Sequence, residues 1–482
     1  MDVHDAVSKL IRSISLRREL DIELGWEKYF EKIAEQVEII GINPGSILGG
    51  YLTARLSYNT RKLLDESISS ASSRGIKEYY LTEVASEELI LEIGELIDSM
   101  LAKHIELPIL SGLPITIKDN FNHVWFLTRL GTSYFSYKPH GYSASIKIII
   151  EKGAVIIGKA NMHELALGVT NLNIHTGTPL NPLNRKLIIG GSSGGSAGAV
   201  ASGITPVSIG TDAGGSVRIP AAWTGLYGFK PSKGFIDRRG VFLTSPTFES
   251  IGFIAKNPID VAFVLEAFKP GLLDSLLYKL SSNPTDCKLR IFAPNNLVEK
   301  ADNEVYELFR EETEIIKSMG CTIIEGDLEL EKSVDRARTI ITLSEAYAAY
   351  STIYEQNRDK VGRDVRYLLE IGKQLPSWSY VEASRFIRNV RNKLIEKLAS
   401  YDLILLPTTP TGPLRLDEVD WRTSFSPRLI MYTAPWNILD LPAATIPGHR
   451  KLSNGVPLPL QLVSLRDETH LLTTSTMFWI TT

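Results

Sequence analysis

The sequence predicts one large domain of the α/β class. Its 482 residues, of which 44% are hydrophobic and 22% charged, are enough to bury a large core. From Pro108 onward, short runs rich in β-branched residues alternate with stretches that have helical spacing. No internal repeat and no low-complexity linker marks a boundary, so residues 1–482 are expected to form a single domain.

Three parts of the domain differ in pattern. Residues 1 to about 105 have helically spaced apolar residues, as in WEKYFEKIAEQVEII, and are expected to wrap around the core. Residues from about 106 to 255 contain the strand-like runs LPITIKDN and SIKIIIEKGAVIIGKAN. In residues 256–482, KLRIFAP, NEVYELFREETEIIKSMG and CTIIEGD follow the order of a crossover between parallel strands. A mostly helical region over 330–400 and a buried strand in YDLILLPTTPTGP complete this part.

Composition excludes several classes of function. The formal net charge is −3, from 52 basic and 55 acidic residues without a long run of one sign, so we expect small-molecule or protein partners and no direct binding of nucleic acid. No uninterrupted stretch of about 18 apolar residues predicts a membrane span, and the charged N-terminus is unlike a signal peptide. The only cysteines, Cys287 and Cys321, begin two predicted strands, are interpreted as structural, and fit a reducing cytoplasm.

Two patterns argue against nucleotide and metal sites. GAVIIGKA, from Gly153 to Ala160, is one residue short of a phosphate-binding loop, because the last position lacks the hydroxyl that holds magnesium. Its AVII run favours a buried strand instead. His163 and His175 lie 12 residues apart, which is not a metal-ligand spacing, so they are interpreted as ordinary polar residues and no metal site is predicted.

Ser193 and Ser196 are each the centre of a G-x-S-x-G pattern, which is typical of the nucleophile turn of α/β hydrolases. That mechanism needs a histidine base later in the chain. Only His449 and His470 follow these serines, so the pattern alone gives weak support for such an enzyme.

The segment from Gly190 to Ala222, GGSSGGSAGAVASGITPVSIGTDAGGSVRIPAA, has nine glycines and six serines in 33 residues. Glycines let a backbone approach a ligand closely and direct successive N–H groups to one point, which a developing oxyanion requires. The run DAGGS brings together the N–H groups of Ala213, Gly214, Gly215 and Ser216. This turn is therefore a candidate oxyanion hole.

A serine nucleophile in this turn needs a base, and no histidine lies near it in the sequence. A lysine can act as the base when burial lowers its pKa. Lys118, between the strand-like PITI and the turn DN, is the candidate. On residue types alone an alternative stays open, in which Lys118 is a solvated residue at a strand end and the glycines only form loops.

The order of these motifs resembles that of the amidase signature family. The resemblance rests on GLPITIKDN, GAVIIGKANMHELALG, GGSSGGSAGAVASG and GTDAGGSVRIPAAWTGLYGFKPS, and farther on LPTTPTGP, TAPWNILDLPAATIPG and PLPLQLVS. It implies a central mixed β-sheet covered by helices on both faces. It also implies a catalytic triad of Ser216 as nucleophile, Ser192 after a cis peptide bond as the bridging serine, and Lys118.

The resemblance further implies a cofactor-free enzyme that hydrolyses a small-molecule amide through an acyl-enzyme. Neutral Lys118 would accept a proton from Ser192, which accepts one from Ser216. Asp212 and Arg218 correspond to a supporting pair around the nucleophile, and Ser193 is a further supporting hydroxyl. A homodimer is a reasonable expectation for the family.

Three functions stay open at this point. The first is a stand-alone amidase, favoured because residues 240–400 show no recognised match to the amidotransferase branch of the family. The second is the glutamine-hydrolysing A component of a glutamyl-tRNA amidotransferase, and the third is a non-catalytic binding protein. Tyr432 and Trp436, near an aspartate at 440 where many members have a small residue, could line an aromatic substrate pocket or belong to the core.

Overall fold

The computed structural model describes residues 59–282, 287–329 and 332–480. Its described part contains one sheet of eleven strands in the order β1-β3-β2-β4-β6-β5-β10-β11-β9-β7-β8. The strands are β1 Leu81–Val84, β2 Pro114–Lys118, β3 Val155–Ala160, β4 Val207–Asp212, β5 Tyr227–Lys230, β6 Ser250–Ala255, β7 Arg290–Pro294, β8 Thr322–Gly326, β9 Leu403–Pro407, β10 Ala443–Lys451 and β11 Pro457–Ser464.

Fifteen α-helices accompany the sheet in the described residues. They are α1 Thr60–Ser70, α2 Glu87–Ala102, α3 Ala144–Glu151, α4 Gly194–Ala201, α5 Arg218–Trp223, α6 Pro258–Leu265, α7 Leu272–Ser282, α8 Asn295–Val298, α9 Asn303–Ser318, α10 Lys332–Asn357, α11 Arg363–Gln374, α12 Ser377–Leu398, α13 Pro427–Ile430, α14 Ala434–Ile438 and α15 Glu468–Ile480. None of these helices is long and apolar enough to cross a lipid bilayer.

The sheet is mixed, as the resemblance implies. Strand β2 pairs in parallel with β3 and β4, and β7 pairs in parallel with β8 and β9, whereas the strands between these two groups pair antiparallel. Every residue of β2, β3 and β4 is buried. Since successive side chains of a strand point to opposite faces, both faces of the sheet are covered here.

This pairing positions the candidate catalytic residues. Strands β2 and β4 are parallel neighbours, with Ile117 opposite Ile209. Lys118 ends β2 and Asp212 ends β4, so both lie at the same edge of the sheet. The loop that contains Ser216 begins where β4 ends.

Several predicted elements are confirmed. GAVIIGKA contains the buried strand β3. Strand β7, helix α9 and strand β8 form the predicted parallel crossover, and YDLILLPTTPTGP contains the buried strand β9. The region from 330 to 400 is mainly helical in the residues that the structure describes.

Two predictions about secondary structure are wrong. SIKIIIE is not a strand but belongs to helix α3, in which Ile146 and Ile149 are buried one helical turn apart. Burial of that face outweighs the modest helix penalty of β-branched residues. The helical first part also contains strand β1, a four-residue edge strand antiparallel to β3. Residues 1–58 of the predicted wrap lie outside the described residues.

Cys287 and Cys321 precede β7 and β8, as the sequence predicts. A disulfide bond joins them, and their Cα atoms lie 4.8 Å apart. Both residues are buried in the core. They are structural, as expected, but the sequence interpretation for a reducing compartment did not anticipate the bond.

Candidate active site

Lys118 is completely buried at the end of β2. Its Nζ donates hydrogen bonds to Ser192 Oγ at 2.8 Å and to Thr211 Oγ1 at 3.1 Å. Burial lowers the pKa of Lys118 to about 8, against the opposing influence of the Glu249 and Asp212 carboxylates. A substantial fraction of this lysine is therefore neutral near pH 8, as a general base must be, and the alternative of a solvated strand-end lysine is wrong.

Ser192 follows a cis peptide bond from Gly191, as the resemblance implies. The backbone on both sides of this bond is held by the loop from His163 to Val169. The His163 N–H donates to Ser192 O at 3.1 Å, and the Gly191 N–H donates to Val169 O at 2.8 Å. A Cβ on Gly191 would lie 2.8 Å from the backbone nitrogen of Asn171, so this packing requires glycine.

Ser216 lies directly beside the serine turn. Its carbonyl oxygen accepts a hydrogen bond from the Ser193 N–H at 3.1 Å. Its hydroxyl makes no hydrogen bond to a described residue, and the residue keeps 9% of its surface exposed. The structure thus forms the Lys118–Ser192 hydrogen bond, while Ser216 Oγ is not bonded to Ser192.

The segment Ala213–Ser216, called the oxyanion loop below, differs from the prediction at Gly215. The Gly215 N–H donates to Asp212 Oδ1 at 2.8 Å, so it is already used within the protein. Gly215 has a φ of 134°, and a Cβ on it would lie 2.4 Å from Thr433 Oγ1. The role of Gly215 is therefore to allow the turn and the close approach of Thr433, which corrects its assignment as a donor.

The other three amides of the oxyanion loop remain available. The N–H groups of Ala213, Gly214 and Ser216 make no hydrogen bond to a described residue. Thr433 Oγ1 donates to Gly214 O at 2.6 Å and so holds the Gly214–Gly215 peptide, which lies between the Gly214 and Ser216 amides. Preorganised donors of this kind are suited to stabilising a developing oxyanion.

Asp212 and Arg218 form a completely buried ion pair beneath the oxyanion loop. The guanidinium donates to both carboxylate oxygens, with Nη2 2.7 Å from Oδ1 and Nε 3.0 Å from Oδ2. Its remaining donors reach Thr433 O and Gln461 Oε1, each at 2.8 Å, and Asn437 Oδ1 at 2.6 Å. Burial alone would raise the pKa of Asp212, but Arg218 lowers it below its ordinary value.

Replacement of Arg218 by methionine is expected to lower the free energy of unfolding by about 3–5 kcal/mol, because Asp212 would be left as an unpaired buried charge. Urea unfolding measures the change. Arg385→Met is the matched control, since Arg385 is exposed on α12 and its loss should change stability by less than about 0.5 kcal/mol. Equal stability of the two variants would contradict a supporting role for the pair.

Sequence reasoning missed the partners that hold these groups. Thr211 bonds Lys118, and Asn437 donates to Asp212 O at 2.9 Å. Thr433 and Gln461 anchor Arg218 from segments more than 200 residues away in the sequence. No local pattern connects such distant residues to the glycine-rich segment, and only their place in the fold brings them there.

The aromatic substrate pocket is a prediction that the structure corrects. Tyr432 and Trp436 are completely buried in the hydrophobic core. The Tyr432 hydroxyl donates to Leu297 O at 2.5 Å, and Trp436 Nε1 donates to Tyr432 O at 2.7 Å. With their polar atoms satisfied by main-chain oxygens, both residues are core residues. Asp440 has a φ of 59°, in the left-handed region that Asp and Asn adopt more readily than most other residues.

The remaining sequence candidates do not form a second centre. His163 Nε2 lies 3.0 Å from Asp364 Oδ2, and His175 Nδ1 lies 3.0 Å from Ser133 Oγ. Ser193 Oγ donates to Thr211 O at 3.3 Å and is not bonded to a histidine. Within the described residues, no group of three or more histidine, cysteine, aspartate or glutamate side chains could hold a metal ion.

Comparison with known proteins identifies the family. A family model described as Amidase matches residues 80–472. The chain belongs to the amidase family. It is therefore an enzyme that acts on amide C–N bonds, as a hydrolase or an amidotransferase.

Relatives of this amidase include both kinds of enzyme. The A component of the glutamyl-tRNA(Gln) amidotransferase of Legionella pneumophila subsp. pneumophila is 30% identical over 419 residues, covering 80% of this chain and 84% of its own length. A crystal structure of an amidase has 27% identity and a TM-score of 0.78, covering 88% of this chain and 98% of its own. The corresponding amidotransferase component of Thermotoga maritima has 25% identity and a TM-score of 0.60, covering 77% and 82% of the two chains.

These alignments correct one sequence observation. An alignment that covers 80% of the chain includes part of residues 240–400, where no match to the amidotransferase branch was recognised. The supposed lack of a match therefore gives no support for a stand-alone amidase.

Proposed function

We propose that this amidase hydrolyses a carboxylic acid amide through an acyl-enzyme on Ser216. One observation carries the proposal, the hydrogen bond from the buried Lys118 Nζ to Ser192 Oγ beside the Ser216 loop. A buried lysine with a lowered pKa and a serine hydroxyl within hydrogen-bond distance are the parts of a proton relay that needs no histidine. The chain's own side chains and amides carry each step, without a cofactor.

In the first half of the reaction, the substrate carbonyl lies within reach of Ser216 Oγ. Ser216 transfers its proton to Ser192 as it attacks, and Ser192 transfers its own proton to neutral Lys118. The hydroxyl of Ser216 turns toward Ser192 for this step, because no bond joins the two in the free enzyme. The amides of Ala213, Gly214 and Ser216 stabilise the oxyanion, at about 3 kcal/mol for each donor.

In the second half, the relay runs in reverse. Lys118 returns its proton through Ser192 to the departing nitrogen, so that ammonia or an amine leaves as a neutral molecule. Water then attacks the acyl-enzyme, losing a proton to the same relay, and the carboxylic acid is released. Lys118 and both serines return to their starting protonation states.

Ammonia release by the purified chain tests the proposal. The substrates are aliphatic, aromatic and indole amides together with glutamine, and Ser216→Ala is the control. We expect release that disappears in the variant. Release that persists in Ser216→Ala would contradict the proposed nucleophile.

A second candidate function is the glutamine-hydrolysing component of an amidotransferase, favoured by the names of the curated relatives. Such a component would use the same three residues but prefer glutamine and co-purify with partner chains. A ranking with glutamine first, and higher activity in the presence of copurifying chains, would support this function over a stand-alone amidase. A non-catalytic binding protein is disfavoured by the intact Lys118–Ser192 hydrogen bond.

A further inference from the structure

A cavity of about 250 Å³ is lined in part by Ala434, the residue after Thr433, which is hydrogen-bonded to the oxyanion loop. Segments distant in sequence form its walls, from α8, from the start of α10 and from the region of α13 and α14. Its apolar lining is formed by Leu297, Val334, Met431, Ala434, Pro435 and Ile438. This lining suits an aliphatic or aromatic body of a small ligand.

The cavity and the oxyanion loop share a wall. Ala434 lines the cavity, and its Cβ lies 3.9 Å from where a Cβ on Gly214 would be. The neighbouring Thr433 is bonded to Gly214 through its hydroxyl and to Arg218 through its carbonyl. Gly214 is itself partly exposed. The wall of the cavity at Ala434 therefore lies against the loop proposed to hold the reacting carbonyl.

Positive charge dominates the polar part of the cavity. Arg338 is nine-tenths buried, and its Nε and Nη2 bond Asp335 Oδ1 at 3.0 and 2.7 Å. Its Nη1 makes no hydrogen bond to a described residue. Arg428 pairs with Asp302 at 2.6 Å, while Lys300 has no ion pair with a described acidic residue. The cavity lining thus holds three cations and one carboxylate, that of Asp335, and Nη1 of the buried Arg338 guanidinium is unbonded within the described residues.

We propose that this cavity binds the part of the substrate remote from the scissile amide, and that it selects an apolar chain ending in a carboxylate. The inference rests on the proposed function and names its substrate class. The apolar lining would contact the chain, and Arg338 with Lys300 would bind the carboxylate. The unbonded Nη1 of Arg338 would donate to the carboxylate, and a guanidinium keeps its positive charge even when it is buried.

Equilibrium binding to the Ser216→Ala variant tests the site without turnover. Isothermal titration compares the monoamides of succinic, adipic and suberic acid with butanamide, hexanamide and octanamide, which match them in chain length. We expect at least one monoamide to bind tenfold or more tightly than its matched neutral amide. Equal affinity within every pair would overturn the inference.

Arg338→Met is then expected to weaken binding of the preferred monoamide about tenfold to 100-fold and to change the neutral amide less than twofold. Arg336→Met is the matched control, since Arg336 is an exposed arginine on the same helix and does not line this cavity. An equal loss of affinity for the monoamide and the neutral amide, or an equal loss of affinity in Arg338→Met and Arg336→Met, would overturn the role of Arg338. Asp335 is half exposed, so water can solvate its carboxylate when Arg338 is replaced, and the variant should remain folded.

Ile438→Trp provides a second, steric test, because it fills the cavity. It should weaken binding of the preferred monoamide at least tenfold and leave the binding of acetamide, which has only two carbons, unaffected.

The proposed function and the proposed cavity ligand can fail independently of each other. If the wild type binds the monoamides more tightly than the neutral amides but hydrolyses none of them, only the proposed function is contradicted. If hydrolysis depends on Ser216 but binding does not depend on the carboxylate, only the inference about the cavity is contradicted.

Discussion

Replacement of Ser216 by alanine is expected to abolish amide hydrolysis, with a loss on the order of 10⁶-fold in kcat, as for other serine nucleophiles. The hydroxyl is the only group that this change removes, and it is bonded to no described residue. The fold should therefore be unaffected. Ammonia release measures the loss, and unfolding in urea checks that the variant is folded.

Ser196→Ala is the matched control for this experiment. Ser196 belongs to the same glycine-serine segment and is completely buried, and its hydroxyl has no hydrogen-bond partner among the described residues. Removing an unsatisfied hydroxyl should leave activity within about twofold and stability unchanged or slightly higher. A fluorophosphonate probe should label the wild type and Ser196→Ala but not Ser216→Ala. An unlabelled, folded wild type would contradict Ser216 as the nucleophile.

The sequence predicts strands well where pattern and burial agree. The run PITIK is a completely buried strand, and its neighbour VIIGKA pairs with it in parallel. SIKIIIE has the same β-branched composition but forms a helix, because its environment buries residues one helical turn apart. Strand β1 has only four residues and depends on pairing with β3, so it leaves no periodic signal.

For the candidate site, too, residue types predict part of the arrangement and the fold determines the rest. The residue types in IKDN and DAGGS suggest a lysine base and an oxyanion loop, but 74 residues separate Lys118 from Ser192. The serine turn lies close to Lys118 because it is hydrogen-bonded to the segments that follow β3 and β4, the two neighbours of β2. No local pattern in the sequence shows this packing. Gly215 could not be assigned from sequence, because whether an N–H is free depends on where the Asp212 carboxylate lies. The same holds for Tyr432 and Trp436, whose polar atoms are satisfied inside the core.

The second large effect concerns the base. Lys118→Met should lower kcat/KM by about 10²–10⁴-fold, the usual contribution of a general base. Lys256→Met, which removes an exposed lysine, is the matched control and should be fully active. Lys118→Arg should be as inactive as the methionine variant, because a guanidinium keeps its charge and cannot accept the proton. Full activity of Lys118→Arg would show that charge or hydrogen bonding matters at this position and not basicity.

The pH dependence of the wild type tests the same role by a different route. Only the neutral form of Lys118 can act as the base, and burial lowers the pKa of its ammonium group to about 8. Below that pH, kcat/KM should fall about tenfold for each pH unit, and above it the rate should reach a plateau. The activity of the wild type therefore rises with pH. An optimum near pH 4, or a flat profile from pH 6 to 9, would contradict a neutral lysine base.

The pH profile of Lys118→Arg shows whether the rise near pH 8 comes from this side chain. A guanidinium cannot lose its proton in this pH range, so the residual activity of the variant should not rise near pH 8.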